Sequence, residues 1–143
     1  MTISRVVAAA SAVFAAGFLA GQAFDGGSAE AQGRKVFELR TYTAPEGRLG
    51  DLLARFRNDT LRVFEKHGMK NVGYWVPADA PTSGNTLIYL LAHDSRDAAA
   101  KSWSAFREDP EWRAIAERTQ ANGPIVSKVE TVFLEAADFS PLK

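Results

Sequence analysis

There is no cysteine among the 143 residues. Thiol nucleophiles, disulfide staples, thiolate-ligated zinc and iron–sulfur clusters are therefore excluded, and the fold must stand on its core alone. Histidine is nearly as scarce. His67 and His93 are the only two, far apart in sequence and too few for a zinc site, which takes about three or four protein ligands. Neither a metal nor a cofactor is expected. An excess of one charge is missing as well: 17 Lys and Arg balance 17 Asp and Glu, so no global field draws the protein onto phosphates or anionic lipid. Nucleic acid is not an expected partner. With 46% hydrophobic and 24% charged residues, the composition is globular, and the length has room for one core.

What is present begins with an export segment. Arg5 supplies a short positive start, Val6 to Ala20 is apolar and rich in Ala, and Ala29-Glu30-Ala31 fits a small-x-small cleavage signal. The expected division is a signal peptide over residues 1–31, a linker over 32–35 and one domain over 36–143. The competing reading is an uncleaved anchor, because the apolar run extends through Phe24 to about the 20 residues a spanning helix needs. The chain is thus expected in the periplasm or secreted, or else held at the inner membrane by this segment alone.

Beyond it, Val36 to Tyr42 alternates in character and reads as a strand, broken by Pro45-Glu46-Gly47. Leu49, Leu52, Leu53, Phe56, Thr60, Val63, Phe64 and His67 then recur at three- and four-residue steps, one stripe of an amphipathic helix that Gly68 ends. Val72 to Val76 suits a second strand, the segment to Asn85 a hairpin loop, and Thr86 to His93 a third strand. That third strand is apolar at nearly every position, which requires both faces to be covered. Asp94 or Ser95 caps a helix through Ala99, Trp103 and Phe106, and Asp109-Pro110-Glu111 restarts it until Asn122-Gly123-Pro124. Ser127 to Leu134 is the last strand.

The order strand, helix, strand, strand, helix, strand predicts an α+β fold of ferredoxin-like form. Its four-stranded antiparallel sheet carries the helices on one face. The helix-free face would expose a large apolar patch. A second copy of the sheet is the simplest cover, so a two-fold homodimer enclosing a barrel-like interior is expected.

Several segments carry a family resemblance: Glu38-Leu39-Arg40-Thr41-Tyr42, Phe64-Glu65-Lys66-His67-Gly68, Lys101 to Phe106 followed by Asp109-Pro110-Glu111-Trp112, and the closing Asp138-Phe139-Ser140-Pro141-Leu142. Together, in this order, they resemble the NIPSNAP family from about Val36 to the C-terminus. The resemblance implies a dimeric α+β barrel. Eukaryotic members act in mitophagy signalling and vesicle traffic; bacterial members are mostly uncharacterised. This chain departs from the mitochondrial members in having a single domain copy behind an export leader. The barrel is shared with small-molecule oxygenases, isomerases and haem enzymes.

For chemistry, alternation places Glu38, Arg40 and Tyr42 together, on the side expected to face away from helix-packing Phe37 and Leu39. A carboxylate, a guanidinium and a phenol can orient an anionic or carbonyl ligand, with Arg as clamp and Glu or Tyr transferring a proton. Alternatively Glu38 and Arg40 neutralise each other, or a cross-strand partner such as Glu130 or Lys128. His93 either meets solvent at the strand end or reaches the barrel mouth, whereas capping and packing explain His67. The expected catalytic residues are Glu38, Arg40, Tyr42 and His93, and the expected ligand-binding residues are Arg40, Tyr42, Trp75 and Tyr89. Trp103, Phe106 and Trp112 read as core, and Arg48, Arg55, Arg57 and Arg62 as a solvated face. The leading functional expectation is an exported protein that binds a small molecule in a homodimeric barrel. The alternatives are a cofactor-independent oxygenase, isomerase or lyase, or an interaction module without catalysis.

Overall fold

Alternation at the start of the domain produces strand β1 (Val36–Thr43). It lies inside the sheet, paired antiparallel with β3 (Thr86–His93) on one side and β4 (Lys128–Glu135) on the other. Strand β2 (Lys70–Trp75) pairs with the outer edge of β3, so the order is β2-β3-β1-β4. The computed structural model describes residues 35–143, and the expected leader, its cleavage signal and most of the linker lie outside the described residues. No helix among the described residues is long and apolar enough to cross a membrane. The ferredoxin-like α+β arrangement read from the sequence is the observed one.

The first crossover is one helical rod in three parts: α1 (Leu49–Arg55), a π-helical turn (Phe56–Thr60) and α2 (Leu61–Lys66). A π turn holds an extra residue and rotates the helix beyond it. Here the Thr60 hydroxyl donates to the Arg55 carbonyl at 3.3 Å. Gly68, at φ +76°, ends the rod in the left-handed region that favours glycine. The apolar stripe delivers Leu52, Phe56, Val63 and Phe64 to the core, where they meet Tyr89 and Leu91 of β3.

The second crossover holds α3 (Arg96–Glu108) and α4 (Pro110–Thr119). Ser95 caps α3 by accepting from the Ala98 N–H at 3.0 Å. Asp109 caps α4 by accepting from the Glu111 N–H at 2.8 Å, with Pro110 in the first helical turn. The same carboxylate receives Lys66 Nζ and lies beside His67 Nε2, each at 2.7 Å, and so ties the end of α2 to the start of α4. The packing expected for His67 is present, edge-on to Phe106 with ring centroids 6.3 Å apart, but its polar partner is the Asp109 carboxylate and not the end of its own helix.

Hydrogen bonds from Lys66 first, then His67, hold the Asp109 carboxyl well below the usual carboxylate range. A lowered folded-state pKa contributes stability that is full above the ordinary aspartate range and lost as pH falls through the lowered value. Asp109→Ala is therefore expected to lower the melting temperature at neutral pH by several degrees, with the gap closing in strong acid. Melting curves superimposable on those of the wild type at neutral pH would overturn this.

The two faces of β1 are the reverse of those expected. Trp103 of α3 donates from Nε1 to the Glu38 carboxylate at 2.7 Å, and the Tyr42 ring packs edge-on to Phe56, centroids 5.8 Å apart. Glu38, Arg40 and Tyr42 thus point under the helices. Phe37 points the other way, into an apolar groove of about 380 Å³ shared with Leu90, Leu134 and the C-terminal Phe139 and Leu142. The helix layer tolerates the polar side of β1 because partners from other elements satisfy it, so apolarity alone did not identify the helix-packed side. Strand register puts Leu39, Ile88, Leu90 and Val132 on the helix-free face with Phe37. Trp75 joins them from β2, its ring lying over Gly73, where no Cβ obstructs it.

Candidate functional site

Glu38 is the centre of a polar cluster between the sheet and α3. The strand pairing sets Glu38 opposite Leu91, two residues before His93, and α3 lays Trp103 across the same spot. One carboxylate oxygen receives Arg40 Nη1 at 2.8 Å, while the other receives Trp103 Nε1 at 2.7 Å and lies 2.8 Å from His93 Nε2. Glu38 and His93 are both buried. Burial pushes the Glu38 carboxyl up, but hydrogen bonds from His93 and Trp103 and the charge of Arg40 outweigh it, leaving the group below its ordinary range. The cluster therefore holds a carboxylate and presents a guanidinium. That guanidinium lies 4.1 Å from the Trp103 ring centroid and 5.6 Å from that of Tyr42.

Tyr42 and Tyr89 extend the cluster toward the helical rod. Their rings meet at 5.2 Å between centroids, and Tyr74 stacks on the far side of Tyr89 at 5.4 Å. Burial, reinforced by Tyr42, pushes the Tyr89 hydroxyl well above its ordinary value, so it is a protonated donor at neutral pH. Arg55, at the end of α1, is buried as well, its guanidinium 5.2 Å from the Trp112 ring centroid.

Five of the sequence-derived candidates, Glu38, Arg40, Tyr42, Tyr89 and His93, are brought into this one cluster. Trp75 is not: it lies on the helix-free face, across the sheet from Arg40. His93 is buried under the helix layer, neither solvated at the strand end nor open at a mouth. Glu38 and Arg40 do pair with each other, whereas Lys128 and Glu130 pair together at 3.0 Å on β4. Trp103, read as core, also serves as a hydrogen-bond donor to Glu38. Arg55, read as part of a solvated face, is a core residue with 6% of its surface exposed. The available signal was its position about 60° around the helix from Leu52, on the flank of the apolar stripe. Among the described residues no group of three or more His, Asp or Glu is placed to hold a metal.

Comparison with known proteins is consistent in fold and sparse in activity. The NIPSNAP family profile matches residues 37–141. A NIPSNAP family protein of unknown function from Agrobacterium tumefaciens superposes with a TM-score of 0.66 at 21% identity, covering 77% of this chain and 95% of that one. A NIPSNAP domain protein from Burkholderia xenovorans gives 0.63 at 24% identity, with coverage of 74% and 98%. A variant of SnoaB, a cofactor-independent oxygenase from Streptomyces nogalater, gives 0.50 at 13% identity, with coverage of 77% and 99%. No curated protein matches the sequence.

Proposed function

The chain belongs to the NIPSNAP family, and from that premise we propose that it is an exported protein that binds a small molecule and works as a two-fold homodimer. The observation that carries the binding reading is the Glu38 cluster: a carboxylate, a guanidinium, an imidazole and two phenols lie between the sheet and the helices. Burying so many polar groups is costly, and an all-apolar core would serve stability at least as well. Oriented polar groups in a mostly aromatic surround are the composition of a ligand site. The site so proposed lies beneath the helices of each protomer, not between the two sheets.

The dimer is supported by the helix-free face. Trp75, Val132, Leu134, Phe139 and Leu142 are exposed there, and a continuous apolar patch of this kind marks an interaction surface. Its expected cover is the same face of a second copy. Export is supported by the apolar, Ala-rich N-terminal segment and its small-x-small signal.

Native mass spectrometry of protein purified without denaturation tests the binding reading. A bound small molecule, or one acquired from an extract of the source cells, is the expected result. Repeated failure to retain or acquire any ligand would sink it.

A second reading, catalysis without a cofactor, is favoured by one specific feature. His93 is held through Nε2 by the Glu38 carboxylate, while its Nδ1 has no hydrogen-bond partner among the described residues. A carboxylate-oriented imidazole is a proton-transfer unit. SnoaB is a cofactor-independent oxygenase on the same fold, although likeness of fold does not transfer its chemistry. Given a turnover assay, full activity in a folded His93→Gln variant would remove this reading.

A further inference from the structure

A cleft of about 250 Å³ opens to solvent between α1, the π-helical turn and the end of α4. No strand residue lines it, so it is separate from the Glu38 cluster. Its lining holds three arginines and two aspartates. Asp51 receives Arg48 Nε at 2.7 Å, and Asp59 receives Arg118 Nη2 at 2.8 Å. Arg48 is fixed further by the Asn122 carbonyl, which accepts from its Nη1 at 2.8 Å. These pairs cancel, and the surplus positive charge belongs to Arg55.

Arg55 is also the buried member of the lining, with 6% of its surface exposed, and so forms the floor of the cleft. Asp51 and Asp59 stand four residues to either side of it, where a helical partner would ordinarily be found, but both are engaged elsewhere. Among the described residues no carboxylate pairs with Arg55, and its Nε has no hydrogen-bond partner. A guanidinium only donates, so this group lacks an acceptor. An unpaired buried charge destabilises a fold that a hydrocarbon side chain would serve better, which points to a use for the charge.

We propose that this cleft binds a small hydroxylated monocarboxylate, with Arg55 holding the carboxylate and the side-chain amides of Asn58 and Asn122 taking hydroxyls. The site goes beyond the ligand reading given above and shares no residue with it. The planar fork of Arg55 matches a carboxylate. One surplus positive charge suits one negative charge, whereas a second would be repelled by Asp51 and Asp59. Asn58 and Asn122 are exposed on the same lining, and an amide that both donates and accepts is the complement of a hydroxyl. The volume lies below the range of about 300 to 1,000 Å³ typical of drug-sized pockets, so the ligand is small.

Calorimetric titration of the purified protein with gluconate, glucose, acetate and inorganic phosphate tests the proposal. Glucose lacks the carboxylate, acetate lacks the hydroxyls, and phosphate carries additional charge. Gluconate is expected to bind at least about 10-fold tighter than each of the others. In Arg55→Met its affinity is expected to fall by about 10-fold or more, while the ligand-free variant melts no lower than the wild type. An Asn58→Ala, Asn122→Ala double variant changes only exposed positions and is expected to lose about 3-fold or more, which keeps the test decisive should Arg55→Met not fold. Gluconate binding unchanged in either folded variant overturns the site. So does glucose, acetate or phosphate binding as tightly as gluconate, or a wild type that binds none of the four.

Discussion

Replacing Glu38 with Ala is expected to destabilise the domain by about 3 to 5 kcal/mol, the effect of breaking a buried charged network on one side only. The reason is what the substitution strands. Arg40 Nη1, Trp103 Nε1 and His93 Nε2 all converge on this carboxylate. Each would be left in a region that helix α3 keeps from water, and an unsatisfied buried polar group costs about 1 to 3 kcal/mol, more if charged. For a domain of this size the loss corresponds to a fall in melting temperature of more than about 10 °C. Urea titration measures it, and a loss under about 1 kcal/mol would show that the cluster relaxes freely without its centre.

The acid limb gives an independent reading of the same group. The Glu38 carboxyl sits below its ordinary range in the folded chain, because the three donors outweigh the effect of burial. Its contribution is therefore fully present above the ordinary glutamate range and declines as pH falls through the lowered value. Glu38→Gln keeps the shape but cannot titrate, and its amide N–H₂ turns donors toward donors. The stability difference between the wild type and this variant is expected to be largest near neutral pH and to narrow in acid. A difference that stays constant with pH would show that the carboxylate charge is irrelevant to the fold.

Val132→Glu is expected to convert the proposed homodimer into a folded monomer. Val132 is 52% exposed in the single chain, so the charge costs the protomer little. It stands among Trp75, Leu90, Leu134 and Phe139 on the helix-free face, and pairing that face with its own copy brings introduced carboxylates into an apolar contact. An unpaired charge buried at an interface is strongly unfavourable. Light scattering at micromolar concentration should give twice the protomer mass for the wild type and the protomer mass for the variant, with unchanged far-ultraviolet circular dichroism. A monomeric wild type overturns the dimer; a dimeric variant places its interface elsewhere. Phe139, 87% exposed, stands on a tail tied down by Lys143 Nζ bonding to the Ala137 and Asp138 carbonyls, each at 2.6 Å. Phe139→Ala is expected to weaken the same association without abolishing the fold.

The elements of this fold were legible because their signals are local. A period of two produced β1, a three-and-four stripe produced the first helical rod, and Ser95, Asp109 and Gly68 mark their boundaries by side-chain or backbone chemistry that acts within a few residues. The π-helical turn was not legible, since one extra residue in a turn leaves the apolar stripe almost intact. The membership of the polar cluster was largely legible as well: Glu38, Arg40 and Tyr42 share a face by alternation, and Tyr89 and His93 come from the neighbouring strand.

Which face that was, and what it touches, depended on contacts far apart in sequence. Glu38 meets His93 across 55 residues and Trp103 across 65. Such partners decide whether a polar face can be buried, and pattern reading assigns it to the wrong side when they are unseen. Arg55 makes the same point in reverse: on the flank of its stripe, a long cationic side chain reads as solvated until Trp112 is placed against it. The sequence by itself determined the order of elements, the topology and the family, because these arise from periodicity, caps and motif order. Only the tertiary structure decided that the polar side of β1 lies beneath the helices and that Arg55 is buried. Burial of a charge is settled by its three-dimensional neighbours and not by its place along the chain.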